Sequence, residues 1–113
     1  MLPASRRLRL TRDFEHVFSG GRTINSGICR IKALRNQRNL SRYAVVVSTK
    51  VSKRAVIRNR VRRRFWAAIS AFELLVPTGL DIVVIAFPEA AKSDFSFIKQ
   101  ELNSLLVKRL SKN

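Results

Sequence analysis

The sequence predicts a single α+β domain, in which helices and strands follow one another along the chain. Apolar and polar residues alternate over 29–33, and a β-branched run follows at 43–48, so both segments favour strands. Further on, apolar residues recur every three or four positions over 57–75 and again over 95–110, as in amphipathic helices. The length suffices for one modest core, so we treat residues 1–113 as one domain.

The N-terminal part predicts a lead-in followed by a short helix. Residues 1–9 are basic and show no period, and we expect them and residues 111–113 to be flexible. Thr11 can cap a helix over residues 11–19, which a glycine pair then ends.

Three extended segments are expected. Residues 23–34 form the first strand, and the polar residues 35–41 read as a hairpin loop leading to the second strand at 43–48. The third strand, residues 81–87, is apolar throughout. A strand that is apolar on both faces is covered on both, so we place it in the centre of the sheet.

The longest predicted element is a helix over residues 53–76, for which Ser52 provides a cap. Its apolar residues fall on one stripe, roughly 120° wide on a helical wheel, so this helix lies on the core. The stripe consists of Ile57, Val61, Phe65, Ala68, Ile69, Phe72 and Leu75. Ser93 or Asp94 opens a last helix.

Charge carries the functional signal. The net charge is +16, and no carboxylate interrupts the chain between Glu15 and Glu73. Such an excess destabilises a compact chain by self-repulsion, whereas binding a polyanion removes the repulsion and releases counterions. Nucleic acid is the partner that this pattern favours, with an ordinary basic surface and an anionic membrane surface as the alternatives.

Cations concentrate on the approach to the long helix and on its first three turns. Arginine suits RNA because its planar guanidinium pairs with phosphate oxygens and stacks on bases. Asn59 lies among these cations on the exposed side, where it can bond to RNA or to a neighbouring arginine, or to the local backbone. The candidate RNA-binding residues are Lys50, Lys53, Arg54, Arg58, Asn59, Arg60, Arg62, Arg63 and Arg64.

The remaining residues argue against chemistry by the protein alone. Asp13 and Glu15 diverge by about 200° on a helix and make a poor metal pair. One cysteine, Cys29, and one histidine, His16, cannot build a zinc site. There is no secretory signal and no apolar run near the ~18 residues of a membrane helix, so we expect a cytoplasmic protein without membrane contact.

Two motifs carry a family resemblance. Ala-Val-Ile-Arg-Asn-Arg-Val-Arg-Arg at 55–63 resembles the Arg-Asn-Arg helix of the protein component of bacterial ribonuclease P. Residues 10–18 are similar to that family's first helix, and its Asp-Phe-x-x-x-Phe pattern appears as Asp13, Phe14 and Phe18. The strands at 45–50 and 81–87 also fall in family order, so the resemblance covers nearly the whole chain.

The resemblance implies the element order αβββαβα and a mixed sheet. It also implies that the basic helix lies in a left-handed βαβ crossover between two parallel strands. That handedness comes from the resemblance alone, because the general rule favours a right-handed crossover.

Two RNA surfaces are also implied. The basic helix and its approach at 48–54 would contact the catalytic RNA subunit, and a cleft between the first helix and the sheet would hold the single-stranded 5′ leader of precursor tRNA. Phe14 and Phe18 match the family's leader-contacting aromatics, with Arg30 and Lys32 on the adjoining strand as cations. Two phenylalanines four residues apart on a short helix are also typical of core packing, which is the alternative for this pair.

The chain departs from the family at two positions. Lys32 stands where some relatives place a cleft aromatic. Trp66 stands where the family usually has another basic residue, for which the extra Arg64 can compensate.

The resemblance implies a non-catalytic protein subunit. RNA and Mg²⁺, held mainly by that RNA, would hydrolyse the phosphodiester and free the mature 5′ end of tRNA. No organic cofactor and no obligate protein partner are expected. A structural RNA-binding protein, such as a small ribosomal protein, is the alternative that shares the charge. A DNA-binding regulator would need a helix with an exposed base-reading face, and here the basic helix carries a core stripe along its length.

Overall fold

The computed structural model describes residues 4–110, which form one four-stranded sheet with helices on both faces. The elements, in chain order, are α1 (Thr11–Gly20), β1 (Arg22–Asn25), β2 (Cys29–Arg35), β3 (Arg42–Val46), α2 (Ala55–Phe72), β4 (Leu80–Ala86) and α3 (Phe95–Leu102). The predicted α+β class and the order αβββαβα are confirmed.

The sheet is mixed, with strand order β1-β2-β4-β3. β1 pairs with β2 and β2 with β4 in antiparallel fashion, whereas β3 and β4 are parallel. The central position expected for β4 is therefore confirmed. Because α2 joins the parallel neighbours β3 and β4, the basic helix lies in a βαβ crossover, and the handedness of that crossover stays a prediction.

Two strand predictions were wrong. The segment 23–34 is not one strand, because a turn at 26–28 divides it into the β1–β2 hairpin. In that turn the Ser26 amide donates to the Cys29 carbonyl over 2.9 Å, and the Ile28 amide donates to Ser26 Oγ over 3.2 Å. Residues 35–41 do not form a hairpin loop either, since β4 lies between β2 and β3.

The sheet separates two apolar clusters, as the alternation of side chains along β4 shows. Ile82 and Val84 belong to the larger cluster, which α2 and α3 cover, and Val83 belongs to the smaller cluster beneath α1. The larger cluster includes Ile31, Tyr43, Val61, Phe65, Ile69, Ile98, Leu102 and Leu106. The smaller consists of Leu8, Val17, Ala44 and Val83. The two RNA surfaces expected from the sequence thus fall on opposite faces of one sheet.

The helix ends differ in detail from expectation. Thr11 is the first helical residue of α1 and does not cap it, since Leu10 is the N-cap and makes no side-chain cap bond. At the other end the Gly21 amide donates to the Val17 carbonyl over 2.8 Å. A Cβ at position 21 would lie 2.4 Å from that carbonyl oxygen, so only glycine fits this close approach.

The long helix is shorter than predicted. α2 begins at Ala55 and ends at Phe72, after which Glu73–Leu75 form one 3₁₀ turn. Leu75 is 63% exposed, so its assignment to the core stripe was wrong. The prediction for α3 is confirmed at Asp94, whose carboxylate accepts from the Phe97 amide over 2.8 Å.

The N-terminal segment packs against the sheet from Ala4 onward, whereas we expected residues 1–9 to be flexible. The Leu8 amide donates to the Tyr43 carbonyl over 2.7 Å, and the Leu8 side chain is buried. Arg6 Nε donates to the Ser41 carbonyl over 2.9 Å. The segment therefore covers the outer edge of β3, where unpaired backbone would otherwise be open to pairing. Residues 1–3 and 111–113 lie outside the described residues.

An ionic network ties α1 to the start of the parallel strands. Arg42 and Asp81 are partners in the β3–β4 ladder, and Arg42 donates to both Asp81 oxygens over 2.8 and 2.6 Å. Its remaining terminal nitrogen lies 3.4 Å from the Asp13 carboxylate on α1. Asn36 adds a bond of 2.9 Å to Asp81. The hydrogen bond to Asp81 raises the pKa of Arg42, which keeps the guanidinium charged.

We predict that Asp81→Ala lowers the free energy of unfolding by about 3 kcal/mol, because it removes the carboxylate that two nitrogens of the half-buried Arg42 guanidinium and the Asn36 amide bind. Denaturant unfolding measures the change. Glu89→Ala is the matched control, since it also removes a carboxylate but only from an exposed pair with Lys92 at 3.7 Å. The control should change stability by less than about 0.5 kcal/mol. Equal effects of the two substitutions would contradict the role given to the network.

Candidate nucleic-acid interface

The approach to α2 is a tight turn that presents cations. The Lys50 amide donates to Ser48 Oγ over 3.2 Å, and the Arg54 amide donates to Ser52 Oγ over 3.1 Å. The buried side chain of Val51 anchors the turn between them. The Ser52 hydroxyl thus binds an amide within the turn and not the amide of Ala55, the first residue of α2. The side chains of Lys50, Lys53 and Arg54 are exposed.

Three of the predicted RNA-binding arginines are bound within the protein. Arg58 Nη1 donates to the Ser52 and Lys53 carbonyls over 3.0 and 2.9 Å, which fixes the approach to the helix. Arg62 donates to Asn59 Oδ1 over 2.7 Å, so Asn59 takes the neighbouring-arginine partner that its position allowed. Arg64 donates to the Ser93 carbonyl over 3.0 Å and links α2 to the start of α3.

Arg60 and Arg63 are exposed, and within residues 4–110 neither has a hydrogen-bond or ion-pair partner. The first turn of α2 contains no acid, so the positive end of the helix dipole adds to their field. We call the exposed cations at this end of α2 the α2 ridge: Lys50, Lys53, Arg54, Arg60 and Arg63. Free guanidinium and ammonium groups on such a surface suit phosphate oxygens.

Aromatic residues near the ridge divide into two groups. Trp66 is buried, and the Arg7 guanidinium lies 6.0 Å from its ring centroid. It therefore packs inside the protein where the family usually has a basic residue, and Arg64, engaged with Ser93, points toward α3. Phe95 and Phe97 are exposed on α3, although Phe95 begins the apolar period of that helix.

A second basic surface lies on the α1 side of the sheet. α1 buries Ala44 and Val83, but Val46 and Ile85, two residues further along the same strands, are only half-buried. This uncovered part of the sheet, with the flanking residues Phe14, Phe18, Arg30 and Lys32, is here called the sheet platform. The period-2 alternation of β2 places Arg30 and Lys32 on this face, opposite Cys29, Ile31 and Ala33 in the larger core.

Phe14 and Phe18 differ in their burial. Phe14 is half-buried against the smaller cluster, so it is partly a core residue. Phe18 is 43% exposed, whereas its neighbour Val17 is fully buried. Lys32 Nζ donates to the Phe18 carbonyl over 3.1 Å and lies 5.7 Å from the Phe18 ring centroid. The structure thus places an exposed ring and a cation side by side at the platform.

Two platform residues were missed from the sequence. The Arg30 guanidinium lies 5.8 Å from the ring centroid of Phe87, and Arg30 Nε donates to Asn25 Oδ1 over 2.9 Å. Asn25 faces Arg30 across the β1–β2 hairpin, which could not be foreseen while 23–34 was taken as one strand. The sequence could have pointed to Phe87, because this aromatic residue lies between the last apolar strand and Pro88.

Within residues 4–110, no three histidine, cysteine or acidic side chains come together as metal ligands. Asp13 is engaged by Arg42, and His16 is exposed. Burial raises the pKa of the Cys29 thiol to about 12, so it stays protonated and is a poor nucleophile. The same part of the chain contains no helix with the length and apolar character needed to cross a bilayer.

Comparisons with known proteins agree with these features. A family model described as Ribonuclease P matches residues 2–110. The ribonuclease P protein component of a Synechocystis species is 32% identical over 105 residues, which are 92% of this chain and 85% of the relative. That of a Pseudanabaena species is 34% identical over 109 residues, which are 96% of this chain and 94% of the relative.

Solved structures show the same likeness. The RNase P protein from Thermotoga maritima is 29% identical with a TM-score of 0.82, over 90% of this chain and 96% of that chain. A Staphylococcus aureus RNase P protein, at 22% identity and a TM-score of 0.82 over 95% of each chain, shares the fold. With the match to the family model and to relatives above 30% identity, this chain belongs to the ribonuclease P protein family.

Proposed function

We propose that this chain binds the catalytic RNA of ribonuclease P through the α2 ridge and holds the 5′ leader of precursor tRNA on the sheet platform. Family membership makes it the protein component of an endoribonuclease that processes tRNA 5′ ends together with an RNA subunit. The observation that carries the finer proposal is the separation of two cation-bearing surfaces by one sheet. The ridge is on the helix that covers the larger core, and the platform lies on the opposite face.

The α2 ridge suits a folded RNA. Its cations stand on a rigid helix whose apolar stripe is packed into the core, so the spacing between them is fixed before binding. Arg58 and Arg62 use their guanidinium groups to hold the approach and the Asn59 amide in place. Lys50, Lys53, Arg54, Arg60 and Arg63 are left for phosphate groups, which an RNA of defined shape presents in a fixed array.

The sheet platform suits a single strand. Single-stranded nucleic acid is held by aromatic rings on which bases stack and by cations that follow the backbone. The platform offers the exposed face of Phe18, a half-buried Phe87 and the cations Arg30 and Lys32. Lys32 in place of an aromatic puts a cation beside Phe18, so the leader is held there more by charge and less by stacking than in relatives that have an aromatic at this position.

In this proposal the RNA subunit performs the hydrolysis with Mg²⁺ that it holds itself. The protein lowers the repulsion between the phosphates of the two RNA molecules and orients the leader. No organic cofactor enters the scheme. Cleavage of precursor tRNA by the protein freed of RNA, at any Mg²⁺ concentration, would contradict this division of labour.

The ridge predicts a specific salt dependence. Replacing Arg60 and Arg63 together by alanine should weaken binding to the catalytic RNA, and the slope of log affinity against log salt should fall by roughly 0.7–0.9 for each lost phosphate contact. Alanine favours helix, so α2 should persist. Filter binding at several salt concentrations measures the slope.

The matched control removes two cations from another surface. Lys99 and Lys108 are exposed and, within the described part of the chain, have no ion-pair partner, so Lys99→Ala with Lys108→Ala produces the same loss of net charge. The slope of the control should stay near that of the unchanged protein. If both double variants lower the slope equally, the effect is net charge and α2 does not contact the RNA.

The platform predicts discrimination between precursor and mature tRNA. Phe18→Ala should weaken binding of precursor tRNA to the reconstituted holoenzyme by about fivefold to a hundredfold, because each stacked base contributes roughly 1–3 kcal/mol. Binding of mature tRNA, which lacks the leader, should be unchanged. Because Phe18 is exposed, the melting temperature of the protein should change little.

Val17→Ala on the same helix separates this effect from loss of stability. Val17 is fully buried, so its truncation should cost about 1–2 kcal/mol of unfolding free energy and should not distinguish the two tRNAs. Equal losses of precursor and mature tRNA binding in Phe18→Ala, with a lowered melting temperature, would make Phe18 a structural residue and remove the leader site from α1.

A further inference from the structure

A pocket of about 660 Å³ opens at the end of the sheet where β2 stops and β4 begins. It is lined by Gly20, Arg22, Ala33, Leu34, Arg35, Gln37, Arg38, Pro77, Thr78, Gly79, Leu80 and Leu110. None of these residues belongs to the α2 ridge or to the sheet platform. We call this feature the edge pocket, and its volume is within the range of pockets that hold small molecules.

The outer wall of the edge pocket is built by hydrogen bonds. The Asn36 amide donates to the Gly79 carbonyl over 2.9 Å, and Asn36 Oδ1 accepts from the Arg38 amide over 2.8 Å. Asn36 Nδ2 also bonds to Asp81, which joins this wall to the ionic network behind it. Gly79 has a φ of 79°, and a Cβ there would lie 3.2 Å from the Arg38 carbonyl oxygen. The wall is therefore formed before any ligand arrives.

The lining combines an apolar floor with a cationic rim. Leu34 and Leu80 form part of the floor, and Arg22, Arg35 and Arg38 stand on the rim with no acid among the lining residues. Arg22 donates to the Arg109 carbonyl over 3.3 Å. Within residues 4–110 the side chains of Arg35 and Arg38 have no partner. Asp81, which follows the lining residue Leu80 in the sequence, already has both oxygens bound by Arg42 and Asn36.

We infer that the edge pocket binds one nucleoside monophosphate unit, with the base against the apolar floor and the phosphate on Arg35 and Arg38. A flat heterocycle matches a floor of leucine and proline side chains, and guanidinium pairs with phosphate oxygens in a bidentate manner. The unit can belong to an RNA strand or to a free mononucleotide, since both present the same chemistry. The inference does not rest on the proposed function, because the pocket shares no residue with either RNA surface.

The test is a titration of the full-length ¹⁵N-labelled protein with AMP, adenosine and inorganic phosphate, followed by amide chemical shifts. AMP should shift the amides of Gly20, Gly79 and Arg35 and leave Gly27, which is outside the pocket, unchanged. AMP should bind more tightly than either adenosine or phosphate, because only AMP uses both floor and rim. Absence of shifts at the pocket amides, or equal affinity for AMP and phosphate, would overturn the inference.

Substitutions test whether Arg35 and Arg38 bind the phosphate of AMP. Arg35→Ala with Arg38→Ala should weaken AMP binding about tenfold or more, as expected for the loss of charge-assisted hydrogen bonds, while the melting temperature stays unchanged because both side chains are exposed. Lys92→Ala with Lys99→Ala removes the same charge elsewhere and should leave AMP binding as it was. Equal weakening by both pairs would reduce the pocket to a general effect of charge and overturn the inference.

A third arm identifies the source of the nucleotide. An adenosine pentanucleotide carrying a 5′ phosphate is added to the Phe18→Ala protein, in which the platform is impaired and the edge pocket is intact. If the strand displaces AMP from the pocket amides, the pocket serves RNA, and if AMP binds while the strand does not displace it, the pocket serves free mononucleotides. Both results support a nucleotide site, and failure of AMP itself to shift the pocket amides of the Phe18→Ala protein, in which the edge pocket is intact, would contradict one.

Discussion

Asp81 is the carboxylate of β4, and it lies where β3, β4, α1 and the loop after β2 meet. The chain has 23 lysines and arginines against 7 acids, so each acid that is placed inside the fold has several possible cationic partners. Asp81 takes Arg42 from the neighbouring parallel strand and Asn36 from the loop, and Arg42 in turn reaches Asp13 on α1. The contact between Arg42 and Asp13 ties α1 to the first half of β3 and β4. α1 leaves Val46 and Ile85 only half-buried, which opens the sheet platform, and one wall of the edge pocket depends on the same Asn36.

In a protein with so few acids, internal arginines are satisfied largely by backbone carbonyls. Arg58 and Arg64 each donate to carbonyl oxygens, and within the described part of the chain neither pairs with a carboxylate. A carbonyl accepts the hydrogen bond without cancelling the charge, so the fold gains structure and keeps its positive field. The α2 ridge holds cations without partners among the described residues, and at the platform Arg30 and Lys32 donate to Asn25 Oδ1 and the Phe18 carbonyl without losing their charge, so RNA can neutralise both sets. Stability and RNA binding therefore use the same residue types, arginine and lysine.

Sequence patterns predicted the parts of the fold that depend on local chemistry. The stripe of α2 and the alternation of β2 follow from periods of 3.6 and 2 within one segment, and the cap at Asp94 follows from the carboxylate of a single residue. The patterns failed where distant segments decide the outcome. The position of β4 between β2 and β3 depends on long-range pairing, and no pattern within residues 35–41 predicts it.

The predictions for the candidate site divide in the same way, into features that depend on local sequence and features that depend on distant segments. Arg60 and Arg63 were predicted to be free for RNA, and they are exposed without partners among the described residues. The internal bond of Arg58 depends on the turn before α2, and composition could not reveal that turn. The pairing of Arg42 with Asp81 could have been suspected, because an acid that begins an apolar central strand needs a partner. Which cation would supply it depended on the register of two strands that are far apart in sequence.

The central claim is that two RNA molecules lie on opposite faces of one sheet, and tethered cleavage tests it most directly. Cys29 is the single cysteine and is buried, so a new surface thiol is the group that a reagent will label. Val56 on α2 and Thr23 beside Lys32 are exposed and can each be changed to cysteine and given an iron–EDTA group. In the reconstituted holoenzyme with precursor tRNA, the probe at 56 should cut the catalytic RNA, and the probe at 23 should cut the leader. Cleavage of the leader from position 56, or of the catalytic RNA alone from position 23, would contradict the account.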